Sequence, residues 1–418
     1  PQFYLKSIVH LILNLKQPAN GIARTMEQAR QVGTEVGFPA LVRPSFVLGG
    51  RAMEICYDTS QFERYVAEAF AVAQGQPVLI DRFLEDATEV DVDAIGDGTD
   101  VVINGIMEHI EEAGVHSGDS ACVIPPYSLP APIVDEIRHA TVAMAKALKV
   151  VGLMNVQYAI KKEDGQHVLY VIEVNPRASR TVPFVAKATG LPVAKIAAKV
   201  MAGMSLAELG VTREPIPAHV SIKESVFPFR KFAGVDIVLG PEMRSTGEVM
   251  GVSERFSLAF AKSQLAAGVD FPTSGTIFVS VSSRHKHKIE DLARRLDQLG
   301  FNLIASQGTA QRLQEGGIPV TPIKKLAEGH PNLIDYLKNE EVDLVLNTPS
   351  GKGARTDEGK IRAAAVQQGV PCITTISAAE AAVTAMEALR EETMDVQALQ
   401  DRFESRNSPS REGAVSNS

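Results

Sequence analysis

Glu173, Asn175, Arg177 and Arg180 stand close together in the run Val171-Ile-Glu-Val-Asn-Pro-Arg-Ala-Ser-Arg180. In an extended strand alternate residues share a face, so Glu173 and Asn175 point together and Ile172 and Val174 point the other way. A carboxylate beside an amide is a ligand pair for a hard divalent cation, which takes oxygen donors and keeps positions for phosphate. Arg177 and Arg180, beyond Pro176, would put guanidinium groups where phosphate oxygens need neutralising. The same residue types near a strand end also form ordinary surface clusters, and from this stretch alone that plainer reading leads.

Other stretches offer groups that could complete such a site. Ser45-Phe-Val-Leu-Gly-Gly-Arg-Ala-Met53 is a loop following Arg43-Pro44. Paired glycines let backbone N–H groups approach a phosphate, although a hairpin turn uses them equally well. Glu89-Val-Asp-Val-Asp-Ala-Ile95 alternates so that three carboxylates share one face while Val90, Val92 and Ala94 face a core. Like charges in a row are costly unless solvated or matched by cations, which leaves a solvent edge or a ligand cleft. Glu108 to Ser120 is polar, glycine-punctuated and carries His109 and His116. Without His-x-x-x-His or nearby thiols it is not expected to hold structural zinc, and it reads better as a loop recognising a small molecule.

The elements that must position these groups follow from periodicity and turn residues. Thr25 to Val36 and Gln61 to Ala73 read as helices. Ala40 to Pro44, Pro77 to Phe83, Glu89 to Ile95 and Val101 to Met107 read as strands, the last two joined by an Asp97-Gly98 turn. Pro132 to Lys149 is a helix with Pro132 in its first turn. Leu153 to Ile160 and Val168 to Val174 form a hairpin around Asp164-Gly165. With Gly165 at its centre, Gln157 lies opposite Glu173 and adds a third oxygen donor beside Glu173 and Asn175. Pro183 to Ala202 is helical with a break at Gly190-Leu-Pro192. Gly210 to Gly251 is rich in proline and glycine, with short strands and turns, and Phe271-Pro-Thr-Ser-Gly275 marks a domain boundary.

Beyond that boundary strands at Thr276 to Val281, Asn302 to Ala305 and Val342 to Leu346 alternate with helices at Lys288 to Leu299, Ala310 to Gly316 and Thr356 to Gln368. Such alternation predicts a small parallel sheet with helices on both faces. Ligands gather beyond the carboxyl ends of its strands, here Ser282 to Lys286, Ser306 to Thr309 and Asn347 to Gly351. Hydroxyls, a glycine and lysines at helix starts suit an anionic ligand, while N-capping by Ser306 and Asn347 is the plainer account.

A chain of 418 residues is long enough for two or three domains. Its hydrophobic content of 45% and charged content of 22% are ordinary for a soluble protein, and a net charge of -8 argues against bulk nucleic-acid binding. Cys56, Cys122 and Cys372 are scattered and odd in number, which fits a reducing cytoplasm rather than a disulfide framework or metal motif. No apolar run is long enough to span a bilayer, and Phe3 to Leu15 lacks a signal-peptide cleavage pattern. The tail from Asn407 is expected to be disordered. Beginning with Pro1 rather than Met, the chain reads as a fragment.

Taken together, four runs closely resemble the large chain of carbamoyl-phosphate synthase. They are Arg43-Pro-Ser-Phe-Val-Leu-Gly-Gly-Arg51, Glu108-His-Ile-Glu-Glu-Ala-Gly-Val-His-Ser-Gly-Asp-Ser120, Gly152-Leu-Met-Asn-Val-Gln157 and Glu173-Val-Asn-Pro-Arg-Ala-Ser-Arg180. The resemblance runs from about Lys16 to about Met386 and is to the C-terminal half of that family. It implies an α/β and α+β architecture: a poorly matching segment at 1–15, an ATP-grasp carbamoyl-phosphate-synthesising domain at 16–210, and a helical or irregular connector at 211–272. A small doubly wound parallel α/β domain of methylglyoxal-synthase-like type follows at 273–395, with a disordered tail at 396–418.

By this resemblance Arg43 is an ATP-phosphate arginine, with Gly49 and Gly50 in the loop over the phosphates. Arg82, Leu84 and Glu89 are implied nucleotide contacts near adenine and ribose, Arg82 standing where a histidine is common. Gly114, Val115, His116 and Ser117 are implied as the next nucleotide-binding segment. Gln157, Glu173 and Asn175 are implied metal ligands, the first two also touching the nucleotide, and Arg177 and Arg180 are implied catalytic arginines on the phosphate side. The implied cofactors are ATP, Mg2+ or Mn2+, and K+. Lys286, Ser306, Thr309, Lys325 and Asn347 fall where the family binds a nucleotide effector such as UMP or IMP, with Ser306 and Pro349 in place of familiar threonines. Glu111, Asp119, Glu224 and Thr374 fall where enteric-type relatives hold ornithine.

The implied reaction is ATP-dependent phosphorylation of carbamate, within glutamine-dependent carbamoyl-phosphate synthesis for pyrimidines and arginine. Implied partners are a small glutamine amidotransferase chain and a homologous N-terminal half, with no nucleic acid, no membrane and an oligomer at full length. That half and a pre-grasp subdomain are not among these residues, so the chain is expected to be N-terminally truncated. The alternative is an inactive nucleotide-binding regulatory fragment. A biotin carboxylase type of ATP-grasp ligase is disfavoured by the attached regulatory domain.

Overall fold

Thr25 and Asp58 open the first two helices, each accepting a backbone N–H with its side chain, from Gln28 and Gln61 respectively. These helices, α1 (Met26–Val36) and α2 (Thr59–Ala73), cover one face of a four-stranded antiparallel sheet. Its strands β1 (Asn20–Ala23), β2 (Ala40–Pro44), β3 (Glu54–Cys56) and β4 (Val78–Arg82) run in the order β1-β4-β2-β3. The computed structural model describes residues 13–45, 49–232, 234–282, 285–348 and 356–404. Most of the N-terminal segment, part of the Ser45–Met53 loop, Pro349 and the tail from Asn407 lie outside the described residues.

A seven-stranded antiparallel sheet follows. It comprises β5 (Thr88–Asp97), β6 (Val101–His109), β7 (Cys122–Ile124), β8 (Val151–Glu163) and β9 (Gln166–Asn175). Helix α3 (Ala131–Ala147) packs Ile137 and Met144 against Val90, Val92 and Val156 on one face. On the other face α4 (Val182–Thr189) and α5 (Val193–Met201) cover Met107, Ile124, Ile95 and Val102. The sheet is completed by β10 (Val220–Val226) and β11 (Gly247–Ser253), giving the order β11-β10-β7-β6-β5-β8-β9. The stretch 211–272 is therefore not a helical or irregular connector: it supplies two strands of this sheet, then α6 (Phe256–Ala266). Those strands hide from a hydrophobicity pattern because β10 buries polar Ser221, Lys223, Glu224 and Ser225.

The β8–β9 hairpin pairs Gln157 with Glu173, as the sequence suggests, but for a different reason. Glu163 faces Gln166, so the turn is the two-residue Asp164-Gly165, and its register would carry Gln157 to Ile172. A bulge between Tyr158 and Gln157 inserts Ile172 as an extra residue and moves the partner to Glu173.

The third layer is a five-stranded parallel sheet in the order β14-β13-β12-β15-β16. Its strands are β12 (Thr276–Ser280), β13 (Asn302–Ser306), β14 (Thr321–Ile323), β15 (Leu344–Asn347) and β16 (Cys372–Ile373). Helices α7 (Ile289–Gln298), α8 (Gln307–Glu315) and α11 (Ile376–Glu391) pack on one face. Helices α9 (Leu333–Lys338) and α10 (Asp357–Gln368) pack on the other, the doubly wound arrangement. Within the stretch expected as a disordered tail, Asp401–Glu404 forms a helical turn, held because the Phe403 ring meets His219 edge-on at 5.6 Å.

One hydrophobic core crosses the 271–275 boundary. Val123 of β7, Ile222 of β10 and Phe260 of α6 belong to the same cluster as Ile277 and Val279 of β12 and Val383 and Met386 of α11. Among the described residues no helix is long and apolar enough to cross a membrane.

Candidate active site

The cleft lies between the first two sheets. Its floor is the face of β5, β8 and β9 that α4 and α5 leave uncovered. Register places Asp91 beside Gln157 and Gln157 beside Glu173, and likewise Asp93 beside Asn155 and Asn155 beside Asn175. Opposed residues share a face, so two polar rows cross the sheet side by side. The carboxylates of β5 are not a solvent edge: Asp91 and Asp93 are buried, and Glu89 nearly so.

Each of these carboxylates has specific partners. Glu89 accepts from the Gln157 amide at 3.1 Å and the Gly114 backbone N–H at 3.1 Å, and burial raises its carboxyl above the usual range. Asp91 bonds the buried His109 ring at 2.9 Å. Burial opposes charge on His109, but its contacts with Cys122 and with the Asp91 carboxylate overcome that and hold it well above its ordinary value. Burial pushes Asp93 up to about 6, against hydrogen bonds from Thr181, Ser179 and Asn155.

Gln157, Glu173 and Asn175 are brought together, as the sequence implied. Asn175 donates its amide N–H to Glu173 at 2.8 Å, and Gln157 donates to Glu89, which leaves both amide oxygens for another partner. Glu173 is 35% exposed where Asp91, Asp93 and Asn155 on the floor are buried. One carboxylate and two amide oxygens opening on a cleft suit a hard cation such as Mg2+. Among the described residues no group of three or more His, Cys, Asp or Glu is placed to hold a metal ion.

The opposite wall comes from β2 and β4. Arg43 donates to Asp81 at 2.8 Å and reaches Glu173 at 3.6 Å, so one guanidinium links the two sheets. Leu84 and Arg82 line the same cleft, but the Arg82 guanidinium turns back to the Val36 carbonyl at the end of α1, 3.5 Å away. Ile172 lines it too, packing with Leu84, Ala87 and Ala159. The sequence places Ile172 on the other face; the bulge sets it on the cleft side with Glu173.

The Glu108–Ser120 loop closes one end. Gly114 has φ +96, and a Cβ there would meet the Phe83 ring, so glycine is required. Val115 and Ser117 follow in the same loop, and the Ser117 carbonyl accepts from the buried Lys223 ammonium at 3.1 Å. The His116 ring accepts from the Gly118 N–H, and burial lowers its basicity.

Gly49 and Gly50 (φ +62 and +70) sit beneath a strap, residues 236–246, that runs between β10 and β11. Met243 N–H donates to Gly49 O, His116 N–H donates to Gly240 O, and a Cβ on Gly50 would collide with the Pro241 carbonyl. Arg180 touches the Met243 sulfur, and Arg177 donates to the Ala178 carbonyl at 3.1 Å.

The strap also carries Asp236, which forms a bidentate pair with the fully buried Arg362 of α10 at 2.7 Å on each oxygen. Arg362 donates as well to Asn347 at the end of β15, 2.9 Å away. Ser306 and Asn347 do not cap helices with their side chains: Ser306 bonds Ser280 and Thr309, and Asn347 bonds Ser280 and Arg362. Lys286 lies over Gly308 at the start of α8, and Lys325 follows β14. The second acidic group is partly assembled. Glu224 is buried and Glu111 half-buried, the two sense each other, and Glu111 accepts from Ser120 and the Ala121 N–H. Asp119 instead clamps the strap by accepting from Arg244 and Ser245 N–H, and Thr374 stands at the end of β16.

Sequence reasoning missed Asp81, the Asp91–His109 pair and the Asp93–Ser179–Thr181 contact. Only the last had a local signal, two hydroxyls flanking Arg180.

Residues 8–209 match the family described as carbamoyl-phosphate synthase L chain, ATP binding domain, and residues 288–374 match the MGS-like domain. The carbamoyl phosphate synthase large chain of Rhodopirellula baltica is 72% identical over 391 residues, covering 94% of this chain and 36% of that protein. That of Archaeoglobus fulgidus is 55% identical over 393 residues with the same coverage. The chain thus spans about a third of the length of the curated relatives it matches. Among solved structures the biotin carboxylase domain of Hydrogenobacter thermophilus 2-oxoglutarate carboxylase has a TM-score of 0.51 at 18% identity, covering 62% of this chain and 64% of that one. An N5-carboxyaminoimidazole ribonucleotide synthetase has 0.50 at 13% identity, covering 63% and 70%. These two share the fold. With identity this high along nearly all its length, and both domain families in order, the chain belongs to the carbamoyl-phosphate synthase large-chain family, in its C-terminal half.

Proposed function

We propose that this chain carries the site that phosphorylates carbamate with ATP, giving carbamoyl phosphate and ADP. The observation that carries this reading is the meeting of Gln157, Glu173 and Asn175 on the cleft floor with Arg43 bridging from the opposite sheet. Gln157, Glu173 and Asn175 would hold Mg2+ or Mn2+, which neutralises charge on phosphoryl oxygens when bound. Arg43, Arg177 and Arg180 supply fixed positive charge to the same end of the cleft. Ile172 and Leu84 offer an apolar wall to the base, and Gly49 and Gly50 present backbone N–H groups toward the phosphates. Carbamate already bears an oxyanion, so no residue is needed as general base.

In the same reading the parallel-sheet domain binds a nucleotide monophosphate, such as UMP or IMP, at Lys286, Ser306, Thr309, Lys325 and Asn347. Glu111 and Glu224 would take a cation, K+ or the ammonium of ornithine. A small glutamine-hydrolysing chain and the remainder of the large chain would be its partners in the cytoplasm, feeding pyrimidine and arginine synthesis. The test is ATP formation from carbamoyl phosphate and MgADP. Because the chain spans 36% of its relatives' length, the second reading is a nucleotide-binding module without turnover. Tight MgATP binding with ATP formation at background rate would favour that second reading.

A further inference from the structure

Asp93 is the carboxylate on the cleft floor that meets the hydroxyls of the link between β9 and α4. It is 1% exposed and accepts from Ser179 Oγ on both oxygens, at 2.7 and 2.8 Å. Thr181 Oγ1 donates to it at 2.7 Å and the Asn155 amide at 3.1 Å, while the two hydroxyls meet each other at 2.6 Å. An ionised carboxylate only accepts, so both hydroxyls are turned toward it, and bonds to a charged acceptor are the stronger class.

Residues 176–181 form the irregular link between β9 and α4, with no ladder of their own to fix them. This link carries Arg177 and Arg180, and among the described residues neither arginine has a carboxylate partner. Ser179 and Thr181 flank Arg180, so the bonds to Asp93 fix the backbone from which it projects. The anchor itself cannot shift, because β5 is held between β6 and β8.

We propose that Asp93 is a positioning residue: through Ser179 and Thr181 it holds the Arg177–Arg180 link over the phosphate end of the cleft. The proposal rests on the nucleotide reading above. It gives Asp93 a role in phosphate recognition and none in recognition of the base.

The test measures binding of MgATP, and of adenosine by displacement of a fluorescent ATP analogue, to the full chain and to Asp93→Asn. The amide loses one acceptor and sets an N–H against hydroxyls that now point at it. MgATP affinity is expected to fall about tenfold, with adenosine affinity within about twofold. Arg180→Ala is expected to cost less in the Asp93→Asn background than in the unaltered chain. Should Asp93→Asn not fold, the pair Ser179→Ala with Thr181→Val severs the same contact from the loop side. Unchanged MgATP affinity, equal loss for adenosine, or full additivity with Arg180→Ala overturns the proposal and leaves the nucleotide reading standing. An unaltered chain that does not bind MgATP overturns both.

Discussion

Gln157 and Glu173 face each other across β8 and β9 although the turn joining those strands would pair Gln157 with Ile172. The extra residue in the bulge does two things at once. It keeps Glu173 and Asn175 on the floor with Gln157, and it brings Ile172 to the same side as an apolar wall.

Ile172→Ala removes that wall and leaves the polar row intact. MgATP and adenosine are expected to lose affinity together, by about tenfold, the cost of losing apolar contact with a planar base. Titration of both ligands checks this, and loss of MgATP binding alone would place the base elsewhere.

Glu173→Gln keeps the shape of the site and removes its one exposed carboxylate. ATP formation from carbamoyl phosphate and MgADP is expected to fall about a hundredfold or more, since the cation contributes several kcal/mol of charge stabilisation. Near-normal turnover in a folded variant would remove Glu173 from the cation site.

Arg362→Leu removes the bidentate cationic partner of Asp236 within a packed interface. The expected result is a loss of about 3 kcal/mol of stability, read by urea unfolding, accompanied by loosening of the strap at Gly49 measured by hydrogen exchange. Unchanged protection of the Met243 amide would show that the strap is held independently of α10.

Lys325→Ala, at an exposed start of a helical turn, is expected to leave stability unchanged and to weaken the response to UMP or IMP about tenfold. Thermal shift with each nucleotide reads this directly. An unaltered nucleotide shift would move the effector pocket away from Lys325.

Burial, then the neighbouring Glu111 carboxylate, pushes Glu224 up to about 8. A carboxyl with a raised folded pKa binds more protons folded than unfolded, so its protonated form favours the native state. Stability is full near the unfolded value of about 4.3 and falls as pH rises toward about 8. Glu224→Gln is expected to flatten that decline and to gain on the order of 2 kcal/mol at pH 8. Urea midpoints from pH 5 to 8.5 test the sign, and a steeper decline in the variant would show that the carboxylate form is the favoured one.

Elements set by local chemistry were legible: the helix read from Thr25 to Val36, the Asp97-Gly98 turn, the alternation of β5 and the parallel βα pattern after Thr276. The pairing of Gln157 with Glu173 was also reached, yet from a turn centre that the chain does not use. Two hydrophobic residues in sequence, Val171 and Ile172, conceal a bulge because one is buried in the core and the other packs at the cleft wall. Helix α11 was not read at all, since its buried face is mostly alanine (Ala379, Ala382, Ala385) and gives little contrast. Contacts such as Asp236 with Arg362 and Asp93 with Ser179 join residues far apart in sequence, and no window of the chain contains both partners.

The core shared by β7, β10 and α6 with β12 and α11 bears on how such a protein could be divided or recombined. The Phe271–Gly275 link looks like a natural place to exchange one control module for another. A cut there would strip Phe260 and Ile222 of their cover and leave α11 with an open alanine face. A replacement module would have to bring its own version of α11 shaped to α6, together with an arginine to meet Asp236. At this seam the two parts present a matched pair of surfaces that must change together.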